Sequence, residues 1–168
     1  METLLASLQK DFPDFTFTSG ETFCWSPHNK QVIYAASPAS NIGTWSLLHE
    51  LGHGLLDHQS YETDLELLLL EVEAWTKARE LAVKYKIEID DDHIEDCMDT
   101  YRDWLDARST CPECTHNGLQ ISSRQYSCYN CRMRWQVTSS RFSRPYRLTK
   151  VEDKKEKSPK LLAQTTFL

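Results

Sequence analysis

The chain has 168 residues, 40% hydrophobic and 11% aromatic, which suits one ordinary domain, or one small domain plus a mini-domain, and argues against global disorder. Its net charge of −6 hides an asymmetry. Residues 1–107 carry 7 Lys/Arg against 21 Asp/Glu, whereas residues 108–150 carry 8 against a single acid, Glu113, a swing from −14 to +7. A change from acidic to basic at one point marks a candidate domain boundary, and the two halves are expected to meet different partners.

The start, METLLASLQKDFPDF, has neither a basic n-region nor a sustained apolar h-region, and apolar runs such as Leu67 to Leu70 are far too short for a membrane span. The expectation is a cytoplasmic protein with no membrane partner. Residues 3–10 predict a short helix that Pro13 interrupts. From Phe15 the apolar residues alternate (Phe15, Phe17, Phe23, Trp25, Val32, Tyr34), with turn chemistry at Ser19-Gly20 and at 27–30. This pattern predicts two or three short antiparallel strands. After a loop at 37–43, a helix is predicted from about Thr44 to Asp57, with Leu48, Leu51 and Leu55 as its buried back. A second runs from about Glu62 to Tyr85, with Leu65, Leu68, Val72 and Trp75 on one face. A third begins near Asp90-Asp91-Asp92, acids suited to a helix N-terminus, and continues to about Arg108.

The first long helix contains HELGHGLLDH, residues 49–58. Residues four apart share a helix face, so His49 and His53 can hold one metal ion, while Glu50 projects beside them and reaches a water on that ion. Gly52 and Gly54 remove side chains there and allow another backbone or a substrate to come close. His58, offset by five from His53, is turned away from that face and is not expected as a ligand, and Gln59 stands where a metzincin places its third histidine. A catalytic zinc needs a third protein ligand and an open position. The second helix offers Glu71 and Glu73 in EVEAW, flanking a stripe of Leu70, Ala74, Ala78 and Leu81 on opposite sides, and periodicity alone does not choose between them.

HELGH followed by a glutamate–alanine pair on the next helix resembles the gluzincin metallopeptidases, and most closely the ImmA/IrrE-type enzymes and the single-domain minigluzincins. The resemblance covers about residues 20–107. It implies a zinc peptidase in which His49 and His53 are ligands, Glu50 is the general base, and Glu73, which precedes Ala74, is the third ligand. ImmA/IrrE proteins usually carry an aromatic residue four positions after that glutamate. Here the residue is Lys77, which keeps Glu71 as the alternative. Tyr61, just after the first long helix, is the candidate oxyanion stabiliser. The strand at 31–35 is the candidate edge for an extended peptide substrate.

Beyond residue 110 the chain carries two CxxC pairs, Cys111/Cys114 and Cys128/Cys131. Four thiolates in two such turns predict a closed, tetrahedral structural zinc in a zinc ribbon. Cys24 and Cys97 have no such partner and are expected as buried thiols. Arg124, Arg132 and Arg134 alternate with Tyr126, Tyr129 and Trp135, and Arg141, Arg144 and Arg147 follow. Such a mixture suits single-stranded nucleic acid, an acidic protein, or the acidic half of the same chain. SprT-like proteases, which act near DNA, share the layout of HExxH and ribbon but use a third histidine. The tail ends KSPKLLAQTTFL, and its residues 159–168 are a candidate for self-binding in the substrate groove.

The expected fold class is therefore α+β: a small antiparallel sheet packed on the HExxH helix and two further helices, then a small zinc ribbon. The expected domains are a zincin-like peptidase at 1–108, a four-cysteine ribbon with a basic extension at 109–150, and a flexible tail at 151–168. The expected function is peptide hydrolysis with one catalytic and one structural Zn2+. The contrasting expectation is a non-enzymatic adaptor that binds nucleic acid or protein through the ribbon.

Overall fold

The computed structural model describes residues 2–35, 41–138, 147–148 and 160–161, the last two pairs by backbone alone. It is an α+β fold of four α-helices and small sheets. In chain order the elements are α1 (Glu2–Asp11), β1 (Thr16–Gly20), β2 (Cys24–Ser26), a one-turn 3-10 helix (Pro27–Asn29), β3 (Gln31–Ala35), α2 (Asn41–Leu55), β4 (Ser60–Tyr61), α3 (Asp64–Tyr85) and α4 (Asp91–Ser109). There follow β5 (Leu119–Ser122), β6 (Gln125–Ser127), β7 (Arg134–Val137), β8 (Arg147–Leu148) and β9 (Lys160–Leu161), the last pairing with β4. Among the described residues no helix is long and apolar enough to cross a membrane. Arg141, Arg144 and most of the tail, with the self-binding expected of it, lie outside the described residues.

The chain forms two compact units: Met1–Ser60 with Leu69–Cys97 and Lys160–Leu168, and Tyr61–Leu68 with Met98–Pro159. The charge change near residue 107 thus falls inside the second unit.

In the first unit the sheet order is β1-β3-β2. β2 and β3 pair antiparallel as expected, but β1 runs parallel to β3. Alternation of apolar residues fixes which face is buried and says nothing of direction. The tight β2–β3 connection, closed by Lys30 in the left-handed conformation, takes one side of β3 and leaves β1 the other. β3 is therefore the central strand, not the exposed edge expected of it.

β2 and β3 pack on α2, which is buried nearly all round from Trp45 to Gly54. Such a helix cannot have a solvated face. At Gly54 a Cβ would lie 2.6 Å from Phe15 and 3.0 Å from Trp25, so the missing side chain admits both rings. At Gly52 it would lie 2.7 Å from the carbonyl oxygen of Ala74, so α2 and α3 meet there backbone to backbone.

The buried stripe of α3 in this unit is Glu71, Ala74, Trp75, Ala78, Leu81 and Ala82. The face expected from Leu65, Leu68, Val72 and Trp75 is not the buried one: Leu65 is 55% and Val72 44% exposed. The face mixes Trp75 and Leu81 with small residues, and opposite Gly52 the helices come too close for anything bulkier than Ala74.

α2 and α3 end in the same way. Asp57 and Lys86 adopt left-handed φ of 54° and 56°. Each is followed by a backbone bond to the carbonyl five residues back, His58 N–H to His53 O at 3.0 Å and Ile87 N–H to Ala82 O at 2.9 Å. This is the Schellman turn, which folds the next residue back over the last helical turn.

In the second unit Thr63 caps α3. Its Oγ1 accepts from the Glu66 N–H at 3.1 Å, while the Glu66 carboxylate reaches back to the Glu62 N–H at 2.7 Å. Asp64, the first residue of the helix, is buried and accepts from Arg108 Nε at 2.6 Å and from the Tyr126 hydroxyl at 2.7 Å. The sheet β5-β6-β7-β8 covers a core of Cys111, Tyr126, Cys128, Trp135 and Val137. Trp135 donates its indole N–H to the Arg108 carbonyl at 2.9 Å.

Two stability predictions follow from these contacts. Gly52→Ala should cost about 1–3 kcal/mol, because the added methyl has only backbone to displace. Asp64→Ala should cost about 3–5 kcal/mol by leaving the Arg108 guanidinium buried and unpaired. Urea unfolding of each variant measures both.

Candidate metal centre

His49 and His53 come from successive turns of α2, and Glu71 comes from the buried stripe of α3. All three are buried, and their donor atoms converge. The two Nε2 atoms are 3.1 Å apart, and Glu71 Oε2 lies 3.1 Å from His49 Nε2 and 3.6 Å from His53 Nε2. A tetrahedral ion with bonds of about 2.0–2.2 Å has edges of about 3.3–3.6 Å. These separations fit the group, and the three residues can hold a metal ion.

Electrostatics point the same way. Burial pushes His49 down to about 4, so its ring is neutral and presents a lone pair. Burial also opposes charge on Glu71, but His53 and His49 beside it outweigh that, and its carboxyl falls well below the usual range. At His53, burial opposes the imidazolium and the Glu71 and Glu50 carboxylates outweigh it, so the ring is drawn upward. Two buried carboxylates thus attract positive charge to the spot, and a divalent cation satisfies that demand better than a shared proton.

Glu73 is not in the cluster. It was the third ligand that the resemblance implied, but its side chain is 60% exposed, and its Oε2 lies 3.3 Å from His58 Nε2. Glu71, the alternative, is the carboxylate that groups with His49 and His53. His58 is not a member of the donor set either, yet it is not turned away: its Nδ1 lies 2.9 Å from His53 Nδ1. The Schellman turn after α2 returns it to the helix face that a straight helix would have carried it off. Tyr61, expected as oxyanion stabiliser, is half-buried in β4, and the cluster is assembled without it.

Glu50 is buried next to the donors. Its Oε2 accepts the Trp25 backbone N–H from β2 at 2.7 Å. Burial, with help from Glu71, raises its carboxyl to about 7 against the opposing pull of His53 and the Trp25 N–H. A carboxyl that titrates near neutrality can both take and return a proton. The His49 ring lies against Trp75, centroids 4.3 Å apart and planes 30° apart.

In the second unit the four cysteines Cys111, Cys114, Cys128 and Cys131 form the other group, among the described residues, able to hold a metal. Both CxxC pairs make one turn twice over. Thr115 and Arg132, each just after its second cysteine, are left-handed, and each returns its N–H to the carbonyl of the first cysteine, at 3.0 and 2.9 Å. Sulfur separations of 3.6 Å for Cys111–Cys131 and 3.5 Å for Cys114–Cys128 are far beyond a disulfide. They lie near the edge, about 3.8 Å, of a tetrahedron with metal–sulfur bonds of about 2.3 Å. Asn130 and the backbone at His116 draw the Cys114 thiol down, while at Cys131 the pull of the Met133 backbone is outweighed by burial and the neighbouring sulfurs, which push that thiol up, so the thiols titrate as one set. Cys97 is buried as expected, while Cys24 is only half-buried.

Of the aromatics interleaved with the arginines here, Tyr126 and Trp135 are core residues stacked on each other at 5.7 Å. Tyr129, 74% exposed, is the one of the three whose ring faces solvent.

No protein-family model, curated protein or solved structure matches the chain. The functional reading rests on the geometry of these two centres.

The geometry separates the two glutamates experimentally. Glu71→Ala should lower the bound metal from two ions per chain to one, and Glu73→Gln should leave it at two. Elemental analysis of the purified variants measures this, and the opposite result would return the ligand role to Glu73.

Proposed function

We propose that the protein is a zinc-dependent metallopeptidase of gluzincin type, with a second, structural zinc at the four cysteines. The observation that carries this reading is a fourth buried group, the Glu50 carboxyl, fixed by the Trp25 N–H beside a buried two-histidine, one-carboxylate donor set. A purely structural site has no use for that fourth group, because closed zinc sites fill all positions with ligands. Three protein donors leave one position open.

In this reading the bound zinc would supply Lewis-acid polarisation of the scissile carbonyl and acidify the attacking water. His49, His53 and Glu71 hold the ion, and the apolar surroundings of α2 keep bulk water away. Glu50 removes the proton from the attacking water and returns it to the leaving nitrogen. The Trp25 N–H holds one of its oxygens, so the carboxylate meets the water in a set orientation. That N–H belongs to β2, an edge strand of the β1-β3-β2 sheet. An extended peptide laid along this edge would bring its backbone to Glu50, which favours peptide substrates over small amides. Main-chain pairing of that kind tolerates many side chains.

Glu50→Gln should keep both metal ions and the fold and lose hydrolysis of an unfolded protein by at least about 100-fold, the usual contribution of a general base. Unchanged turnover in the metal-loaded variant would overturn the mechanism. The contrasting adaptor reading requires instead that the wild-type chain hydrolyse nothing.

A further inference from the structure

We propose that His58 and Glu73 are positioning residues for the first metal centre: a line Glu73–His58–His53 that fixes the tautomer and the ring orientation of the His53 ligand. The inference rests on the metallopeptidase reading above and extends it beyond the three ligands and the base.

One constraint sets every proton on the line. A histidine that binds an ion through Nε2 must present a lone pair there, so its proton sits on Nδ1. The His53 Nδ1–H then donates to His58 Nδ1, 2.9 Å away. With Nδ1 accepting, a neutral His58 carries its own proton on Nε2. That proton points at Glu73 Oε2, 3.3 Å away. Each nitrogen has one role, and the line ends on a carboxylate that only accepts. Ligating histidines commonly give their second N–H directly to a carboxylate or carbonyl, and this fixes the ring and strengthens the ligand. Here a second imidazole is inserted between the two.

The surroundings make His58 a rigid relay. Its backbone is held at both ends: its N–H donates to His53 O at 3.0 Å, and its carbonyl accepts the Trp25 indole N–H at 2.9 Å. Its side chain is buried, whereas that of Glu73 is largely exposed. The other ligand is held differently. His49 Nδ1 is buried with no hydrogen-bond partner among the described residues, and its ring is placed by packing on Trp75. One ligand is thus oriented by an aromatic wall and the other by a hydrogen-bonded line. This assigns work to His58, which touches the donor set without joining it, and to Glu73 beyond it.

The test uses the full-length chain and Zn2+ alone. Zinc affinity at the histidine site is measured by competition with a chelator, with the four-cysteine site in the same titration as internal control. His58→Leu keeps the bulk and removes the acceptor. It should weaken the histidine site about 10–100-fold, the usual cost of losing such a partner, and leave the cysteine site unchanged. His58→Asn, whose amide oxygen can take the place of Nδ1, should recover most of that loss. Glu73→Ala removes the acceptor at the end of the line and should weaken the histidine site in the same direction, and Glu73→Gln, which keeps an acceptor, should recover most of that loss. In zinc-loaded wild type, imidazole nitrogen resonances should place the His53 proton on Nδ1 and the His58 proton on Nε2. A His58→Leu chain that binds zinc as tightly as wild type, or a His58 proton found on Nδ1, overturns the proposal. Two zinc ions in wild type with an unaffected His58→Leu overturns this inference alone. Zinc at the cysteines only overturns the metallopeptidase reading and the inference with it.

Discussion

Glu71 is a carboxylate buried to 1% exposure, and the arrangement of the first unit answers to that. Taking a charge out of water costs several kcal/mol even after relaxation, so it persists only against compensating groups. The compensation is the pair of imidazoles presented by α2. To bring them within reach, α2 must lie close to α3, and this is why Gly52 faces the Ala74 carbonyl and why Ala74 and Ala78 line the contact. Burial of α2 on its other sides by β2 and β3 then raises the effective field inside the site, which holds Glu50 near neutrality.

The second unit solves a related problem with a different currency. Asp64 is also a buried carboxylate, but Arg108 and Tyr126 satisfy it within the protein. Nothing about it calls for an added ion. One buried carboxylate is closed by a cation of the chain's own, and the other faces neutral or shared-proton imidazoles, which leaves its demand for positive charge open. That difference separates a structural carboxylate from a candidate ligand more sharply than burial does.

Much of this was legible in the sequence. The four helices fall within a few residues of their expected bounds, because apolar periodicity over long segments is a strong signal. The choice between Glu71 and Glu73 stayed open in the sequence, since both flank the stripe of Leu70, Ala74, Ala78 and Leu81 and the resemblance pointed to Glu73. Only the burial of Ala74, Trp75 and Ala78 shows that the covered face of the helix is the one Glu71 heads. The start of α3 was written as a capping box in Thr63-Asp-Leu-Glu66. The direction of β1 was not legible, since a period of two carries no polarity. Nor was the return of His58, because helical spacing stops applying once Asp57 turns left-handed, and an aspartate marks that position less clearly than a glycine does. Tyr126 and Trp135 looked like stacking surfaces because aromatic residues near arginines read alike whether they face a ligand or a core.

The bond between Glu50 and Trp25 has a consequence for how the chain can change over evolutionary time. Its donor is main chain, so every residue except proline supplies it, and drift at position 25 is filtered by the fit of the indole in the core and not by the contact itself. A scan of side-chain truncations would record the packing of the indole and its bond to the His58 carbonyl, and would miss the part that the main chain of Trp25 plays in aiming the carboxylate. The orientation of Glu50 is encoded in strand register, which substitution rarely disturbs and which a one-residue insertion or deletion between β2 and β3 would erase at once.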